Sequence, residues 1–343
     1  MKIIIFSDLH MCPRSSIISK WGTKYPSRLE NCIESLNWLE RKAEELECNY
    51  VINLGDFFDR PDLSSETITA CQDIQWSWLQ HYHLVGNHDA SSSSLIFNSV
   101  NCLSNDNHRI IAEPEMLELE DCEICFLPYV VECERKPLSE YFPPRYTDKH
   151  RIILSHNDIS GIQLGPVVSR TGFSIEEIEA NCDLWCNGHL HNGQAITPKV
   201  INLGNLTGKD FGENALKHSH NIAVLDTQTL SITYVENPHA YNFYKIQIDC
   251  ESDILCLSQL KNNAVVSIKC ESSLVDKVKQ VVDELGGKIT ESRIILVKNY
   301  EEPAGDVSEV DLSVDHLARF VECCKANIEF TPLLEEEISE VCK

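Results

Sequence analysis

The chain has 343 residues, 43% hydrophobic and 24% charged, enough for one large core and a smaller module. Its formal net charge of −24, from 53 acidic and 29 basic residues, argues against a broad nucleic-acid-binding face, although bound divalent cations can bring an anionic substrate to an acidic protein. No apolar run approaches the roughly 20 residues that cross a bilayer, and the apolar stretch at residues 3–6 is too short for a secretion signal, so no membrane role and a cytoplasmic location are expected. Sixteen cysteines scattered through apolar runs of a long chain read as small buried hydrophobes in a reducing compartment.

Strand and helix signals alternate over the first 235 residues. Strand-like runs fall at 2–7, 50–55, 83–86, 123–130, 151–155, 184–188, 200–203 and 221–226. A helix is expected at 27–47, opened by Ser27 and Glu30 as a capping box, with Cys32, Ile33, Leu36, Leu39, Ala43 and Leu46 on one face. A second is expected at 65–80, and a third from Ser174 with Glu177 as its box partner. Cys122 and Cys125 stand an odd number apart on a strand, so their side chains point to opposite faces, which disfavours a shared zinc or redox role. The class is therefore α/β, with mostly buried sheets covered by helices.

Asn237-Pro238 breaks this pattern. Strands at 244–248, 264–270 and 289–297 around a helix at 273–285 form a separate small α/β module. The expected divisions are 1–237, 238–300 and an acidic helical tail at 301–343. That tail has twelve Asp or Glu against three Lys or Arg, and its apolar stripe is Leu333, Leu334, Ile338 and Val341.

Five short segments place Asp, Asn or His where a strand ends: Asp8 and His10; Asp56 after Gly55; Asn87 and His88 after Gly86; His156; and His189 and His191 after Gly188. Asp8 and His10 stand two apart, so an extended backbone would project both to one side. Carboxylate, amide oxygen and imidazole together suit manganese, magnesium, iron or zinc, and no thiolate lies in these segments, which disfavours a closed structural zinc site. Two cations about 4 Å apart need one ligand that reaches both, and the candidate is Asp56. Asp59 and Asp89 read equally as acceptors that orient an imidazole or as turn and cap residues. His81, His83, His108, His150, His218, His220, His239 and His316 are given no role.

In this order the segments resemble the calcineurin-like metallophosphoesterase superfamily, whose pattern is Asp-x-His, Gly-Asp, Gly-Asn-His-Asp/Glu, a lone His and Gly-His-x-His. The resemblance implies a four-layer α+β sandwich with two mixed β-sheets flanked by helices. It implies two divalent cations, Mn²⁺ foremost: one on Asp8, His10, Asp56 and His191, the other on Asp56, Asn87, His156 and His189. His88 would stay off the metals and protonate the leaving group. The small module and charged tail further resemble the SbcD-type DNA repair nucleases and their phage relatives. That likeness implies a DNA exo/endonuclease subunit in a bacterial or phage-infected cell, a DNA-binding cap at 238–300, a tail that docks on an SMC-like ATPase, and a homodimer. The chain departs from that family with Gly204-Asn205-Leu206 in place of Gly-Ser-Pro, and with an unusual segment at 157–173 that reads as a lid. Loop cations that would meet a phosphate backbone are Arg14, Arg170 and Lys209, with Lys20, Lys24 and Arg28 as further candidates, against plain solvated charge for each. The rival readings are a nucleotide or small-molecule phosphodiesterase, a protein phosphatase, and a non-enzymatic scaffold with a vestigial site.

Overall fold

A computed structural model describes residues 1–297 apart from Arg14, Ser16, Ser19, Thr147, Gly165, Pro166 and Asn214. The tail at 301–343, its apolar stripe and Arg14 lie outside the described residues.

In chain order, β1 (Lys2–Phe6) is followed by α1 (Ser27–Glu45), β2 (Tyr50–Asn53), α2 (Ser65–Cys71), β3 (Gln80–Leu84), β4 (His108–Ile111), β5 (Glu115–Glu118), β6 (Cys122–Leu127) and β7 (His150–Ser155). The two-residue strands β8 (Ile159–Ser160), β9 (Gln163–Leu164), β10 (Val167–Val168) and β11 (Phe173–Ser174) precede α3 (Ile175–Asn181). Then come β12 (Leu184–Asn187), β13 (Gln194–Ala195), β14 (Val200–Asn202), β15 (Asn221–Asp226) and β16 (Ile232–Glu236). The described chain closes with β17 (Asn242–Ile248), β18 (Ala264–Glu271), α4 (Val275–Glu284) and β19 (Ile289–Val297).

Two six-stranded mixed sheets form the centre. The first has the order β16-β15-β1-β2-β3-β4, the second β13-β14-β12-β7-β6-β5. Alternation along each strand divides the side chains between two faces. Ile3, Ile5, Ile52 and Leu84 of the first sheet share a core with Ile124, Phe126, Ile152 and Leu154 of the second. On the outer face of the first sheet, Ile4, Phe6 and Val51 pack under Leu29, Leu36 and Leu39 of α1. On the outer face of the second, Cys125, Ile153 and Trp185 pack with Ile178 of α3. The result is helix, sheet, sheet, helix: the four-layer arrangement expected. Each such fully buried aliphatic side chain contributes about 1.5–3 kcal/mol relative to exposure. Cys122 lies in the inter-sheet core and Cys125 in the outer one, opposite faces as their odd spacing requires.

A third, all-parallel sheet, β17-β18-β19, buries Ile246, Ile248, Val266 and Ile268 against Val278 and Val282 of α4. Elsewhere on the same strands, Phe243 and Val265 pack on Ile18, Phe211 and Tyr241, so this sheet rests on the loops of the larger body. Met1–Val297 form one compact unit. Among the described residues no helix is long and apolar enough to cross a membrane.

Several local expectations need correction. Ser27 and Glu30 do not form a capping box: α1 is capped by Pro26 without a side-chain bond, and the Glu30 carboxylate instead accepts from the backbone N–H groups of Thr23, Lys24 and Tyr25. The second helix ends at Cys71 rather than 80, because side chains of α1 capture the following backbone: Asn37 accepts from Gln75 N–H at 2.7 Å and Glu40 from Ser77 N–H at 3.2 Å. At α3, Ser174 does accept from Glu177 N–H, but the Glu177 carboxylate turns away to Leu138 N–H. The segment 157–173 is held at both ends, where Ile159 and Phe173 pair in β8 and β11 and are buried in the outer core.

Candidate metal centre

The ligand segments leave the sheets by sharp turns. Asp8, His10 and Asp56 have φ of 51°, 47° and 51°, and His189 has 73°, all in the left-handed region. This region costs a non-glycine residue about 1–3 kcal/mol, and it persists where surrounding bonds over-determine it. Here they do: Asp8 N–H donates to the Gly55 carbonyl at 3.1 Å, His10 N–H to the Asp56 carbonyl at 3.0 Å, and Met11 N–H to the Phe57 carbonyl at 2.8 Å. Asp8 and His10 therefore converge through two left-handed turns, not along an extended strand as their spacing suggested. Gly86 is required by crowding, since a Cβ there would lie 2.1 Å from Asp56 Oδ1.

All seven predicted metal-ligating residues come together at the adjoining ends of the two sheets. On one side, His10 Nε2 lies 3.0 Å from His191 Nε2, 3.8 Å from Asp8 Oδ1 and 3.7 Å from Asp56 Oδ2. On the other, His156 Nε2 lies 3.2 Å from Asp56 Oδ2 and 3.3 Å from Asn87 Oδ1, and His189 Nδ1 lies 3.0 Å from the same Asn87 oxygen. Asp56 stands between the two groups. Asp8, His10 and His191 form one candidate cation-binding group, Asp56, His156 and His189 a second, and His10, Asp56 and His88 a third. The donors fit a pair of divalent cations: Asp8 Oδ1 is buried without a hydrogen-bond partner, and the imidazole nitrogens of buried His10 and half-buried His191 face each other at 3.0 Å.

Electrostatics agree with that fit. Burial pushes the His10 pKa down to about 4, so the ring is a neutral donor at neutral pH. Burial alone would raise the Asp56 carboxyl, but the His156, His10 and His88 imidazoles outweigh it and keep it ionised. Burial would lower His156, but Asp56, Asp8 and Asp89 raise it to about 9. Burial and the Asp56 charge lift Asp89 to about 8. The carboxylates thus call for positive charge at the centre, which a divalent cation supplies.

Three of the four ligand imidazoles meet a carboxylate on the outward nitrogen, whereas His156 Nδ1 is buried without a hydrogen-bond partner. Asp59 Oδ1 is 3.5 Å from His10 Nδ1, Asp158 Oδ1 is 3.3 Å from His189 Nε2, and Glu213 Oε1 is 3.4 Å from His191 Nδ1. Such partners fix which nitrogen faces the metal. Asp158 and Glu213 were not singled out from sequence. Asp158 stands two residues after His156, a usable signal; Glu213 stands 22 beyond His191 and reaches it only through the fold. The Gly204-Asn205-Leu206 departure belongs to the same support, because the Asn205 amide donates to Glu213 at 2.6 Å and its backbone N–H to the His191 carbonyl at 3.1 Å. Asp89 holds backbone rather than an imidazole, accepting from Phe58 and Gly86 N–H, each at 2.9 Å.

His88 is partly exposed and its ring meets His10 edge-on at 4.8 Å. Its Nδ1 donates to the Asp59 carbonyl at 3.0 Å and its backbone N–H to Asp56 Oδ1 at 2.9 Å. Of the loop cations, Lys209 is at the centre, with Nζ 2.8 Å from Asp59 Oδ1 and 3.2 Å from His10 Nδ1. Arg170 is exposed and the structure brings it to none of these residues. Arg28 is not a loop cation at all. It is buried, bonded to Thr207 at 2.6 Å and to the Leu9 and Gly208 carbonyls, so it holds loops together and cannot reach a substrate. Lys24 pairs with Asp73, and Lys20 donates to the Thr290 carbonyl of β19.

Residues 1–193, more than half of the 343, match the calcineurin-like phosphoesterase family, and the chain belongs to it. Membership implies two divalent metal ions and a metal-dependent phosphoesterase. Similar solved structures include a dimetal phosphatase from Danio rerio at 13% identity and a TM-score of 0.42, covering 69% of this chain and 98% of that one. A purple acid phosphatase from yellow lupin seeds gives 12% and 0.44, covering 69% and 51%. A calcineurin-like phosphoesterase from Bacillus subtilis gives 10% and 0.38, covering 69% and 88%. No similar protein was found among curated sequences.

Proposed function

We propose that the chain hydrolyses phosphodiesters of DNA as the nuclease subunit of a recombination and repair assembly. The observation that carries it is the convergence of Asp8, His10, Asp56, Asn87, His156, His189 and His191 beside His88. Two divalent cations bound there, Mn²⁺ by our reading, would supply Lewis-acid charge and an activated water. Asp56 reaches both donor groups, and Asn87 offers its oxygen to the second. With Nδ1 committed to the Asp59 carbonyl, His88 directs Nε2 away from that contact, and the imidazolium form has a proton there for the departing oxygen. The third sheet packs through Phe243 on Phe211, which stands between Lys209 and Glu213 at the centre, and by the likeness to SbcD-type nucleases this module would be the DNA-binding cap. The free, buried thiols of Cys32, Cys125 and Cys186 support a reducing cytoplasmic setting. By the resemblance of the small module and charged tail to the SbcD-type nucleases, the tail at 301–343 would dock on an SMC-like ATPase and the chain would dimerise.

The test is hydrolysis by the full chain with Mn²⁺ of labelled single- and double-stranded DNA beside bis-p-nitrophenyl phosphate. Cleavage of both is expected. Cleavage of the small ester alone would replace the nuclease reading by a small-molecule phosphodiesterase or a phosphatase, and metal binding without any hydrolysis would leave a scaffold. His88→Asn should lower kcat by about 10²–10⁴-fold while metal stoichiometry stays at two, and loss of metal would overturn its role as acid.

A further inference from the structure

Beside the metal centre runs a groove of about 640 Å³, within the range of small-ligand sites, lined among others by Met11, Lys20, Trp21, Arg60, Asp62 and Leu63. Its inner end adjoins the centre, because Met11 follows His10, Arg60 follows Asp59, and Met11 is bridged to Phe58. Trp21 leaves 73% of its surface in solvent, yet it stands on a clamped turn. Trp21 is bridged to Pro26, Gly22 N–H donates to the Tyr25 carbonyl at 2.8 Å, and Glu30 holds the N–H groups of Thr23, Lys24 and Tyr25. The neighbouring Lys20 carbonyl is held in turn by Ser27, from N–H at 3.1 Å and Oγ at 2.9 Å. A large exposed aromatic side chain on a backbone turn held by these bonds, beside a phosphoester centre, is a stacking platform in want of a flat partner. The Arg60 side chain, 69% exposed, lines the same groove and sets its guanidinium 4.0 Å from Asp59 Oδ2.

We propose that this groove receives the nucleoside next to the scissile phosphate, its base stacked on the Trp21 indole and the adjoining phosphate met by Arg60. This rests on the phosphodiesterase reading above and deepens it by naming the recognised unit as a nucleobase. Stacking uses a face that every base has, so the groove grips without selecting sequence.

The experiment compares two diesters with the same leaving group on the full chain with Mn²⁺: the p-nitrophenyl ester of thymidine 5′-monophosphate and methyl p-nitrophenyl phosphate. The wild type is expected to show a lower KM for the nucleoside ester. Trp21→Ala should shrink that KM advantage by roughly tenfold, the size of one lost stack, and Trp21→Phe should restore most of it. A KM ratio unmoved by Trp21→Ala overturns the groove while leaving the nuclease reading intact. No preference by the wild type for the nucleoside ester likewise overturns the groove, whereas hydrolysis of both diesters without hydrolysis of DNA overturns the nuclease reading.

Discussion

Glu213→Gln is the sharpest probe of how the centre is held. Glu213 is 5% exposed. Its carboxylate faces His191 Nδ1 at 3.4 Å and accepts from the Asn205 amide at 2.6 Å and from Lys209 N–H at 3.2 and 3.0 Å. Burial would lower the His191 pKa, but the bond to Glu213 and the charges of Asp8 and Glu213 raise it. Glutamine keeps the volume but removes the charge, and its amide nitrogen must meet a donor on one side. His191 then loses the anion that turns Nε2 towards His10, 3.0 Å away. Partners of this kind are worth about 10–100-fold in metal affinity, equivalent to about 1.4–2.7 kcal/mol. The effect is one-sided, because Asp56, Asn87, His156 and His189 form a group that Glu213 does not touch. Calorimetric titration of metal-free protein with Mn²⁺ should show one Kd raised about 10–100-fold and the other nearly unmoved. Asp158→Asn, acting on His189 from 3.3 Å, should weaken the opposite site. Equal weakening of both sites by Glu213→Gln, or of neither, would refute the division of the centre into two halves.

Gly86→Ala should abolish hydrolysis, by at least about a hundredfold, at an overpacking cost of about 1–3 kcal/mol, because the new Cβ would lie 2.1 Å from Asp56 Oδ1 and 2.4 Å from its backbone nitrogen. Retained activity with an unchanged melting temperature would show that Asp56 has room to shift. The buried imidazoles of His81, His83 and His108 stack, the His81 and His108 rings being 4.2 Å apart, with Glu40 facing His81 at 3.1 Å. Burial, and then the neighbouring imidazoles, hold His83 well below 6.5 and His108 at about 4. The unfolded chain therefore takes up protons first as pH falls. The stability these residues contribute is whole above pH 6.5, is lost progressively towards pH 4, and amounts to at most roughly 3 kcal/mol for His108. Urea melts of metal-free protein at pH 7 and pH 5 should separate, and coincident melts would contradict it.

The ligand segments were legible because each sets its polar residue a step or two beyond an apolar run, a relation that lies within a few residues of chain. Their backbone was not: an Asp-x-His pair reads as extended until Gly55 and Asp56 are seen to bind it into left-handed turns. Glu213 escaped because its relation to His191 crosses the fold. Arg28 misled for a similar reason, since a cation near a ligand loop looks available until Thr207 and the Leu9 carbonyl are found to surround it. The short second helix and the missed strands β5 and β16 have different causes. Tertiary capture by Asn37 and Glu40 overrides helical spacing after Cys71, and strands with half-exposed side chains at a sheet margin carry no continuous apolar run.

The donors are divided by origin: Asp8, His10, Asp56 and Asn87 follow strands of the first sheet, whereas His156, His189 and His191 follow strands of the second. On the ribosome this makes the protein its own timer. A nascent chain that has emerged only as far as β4 holds four of the seven donors and completes neither the group of Asp8, His10 and His191 nor that of Asp56, His156 and His189, and the last imidazole arrives with residue 191. Phosphoester hydrolysis is thus withheld until strands of both sheets have been made.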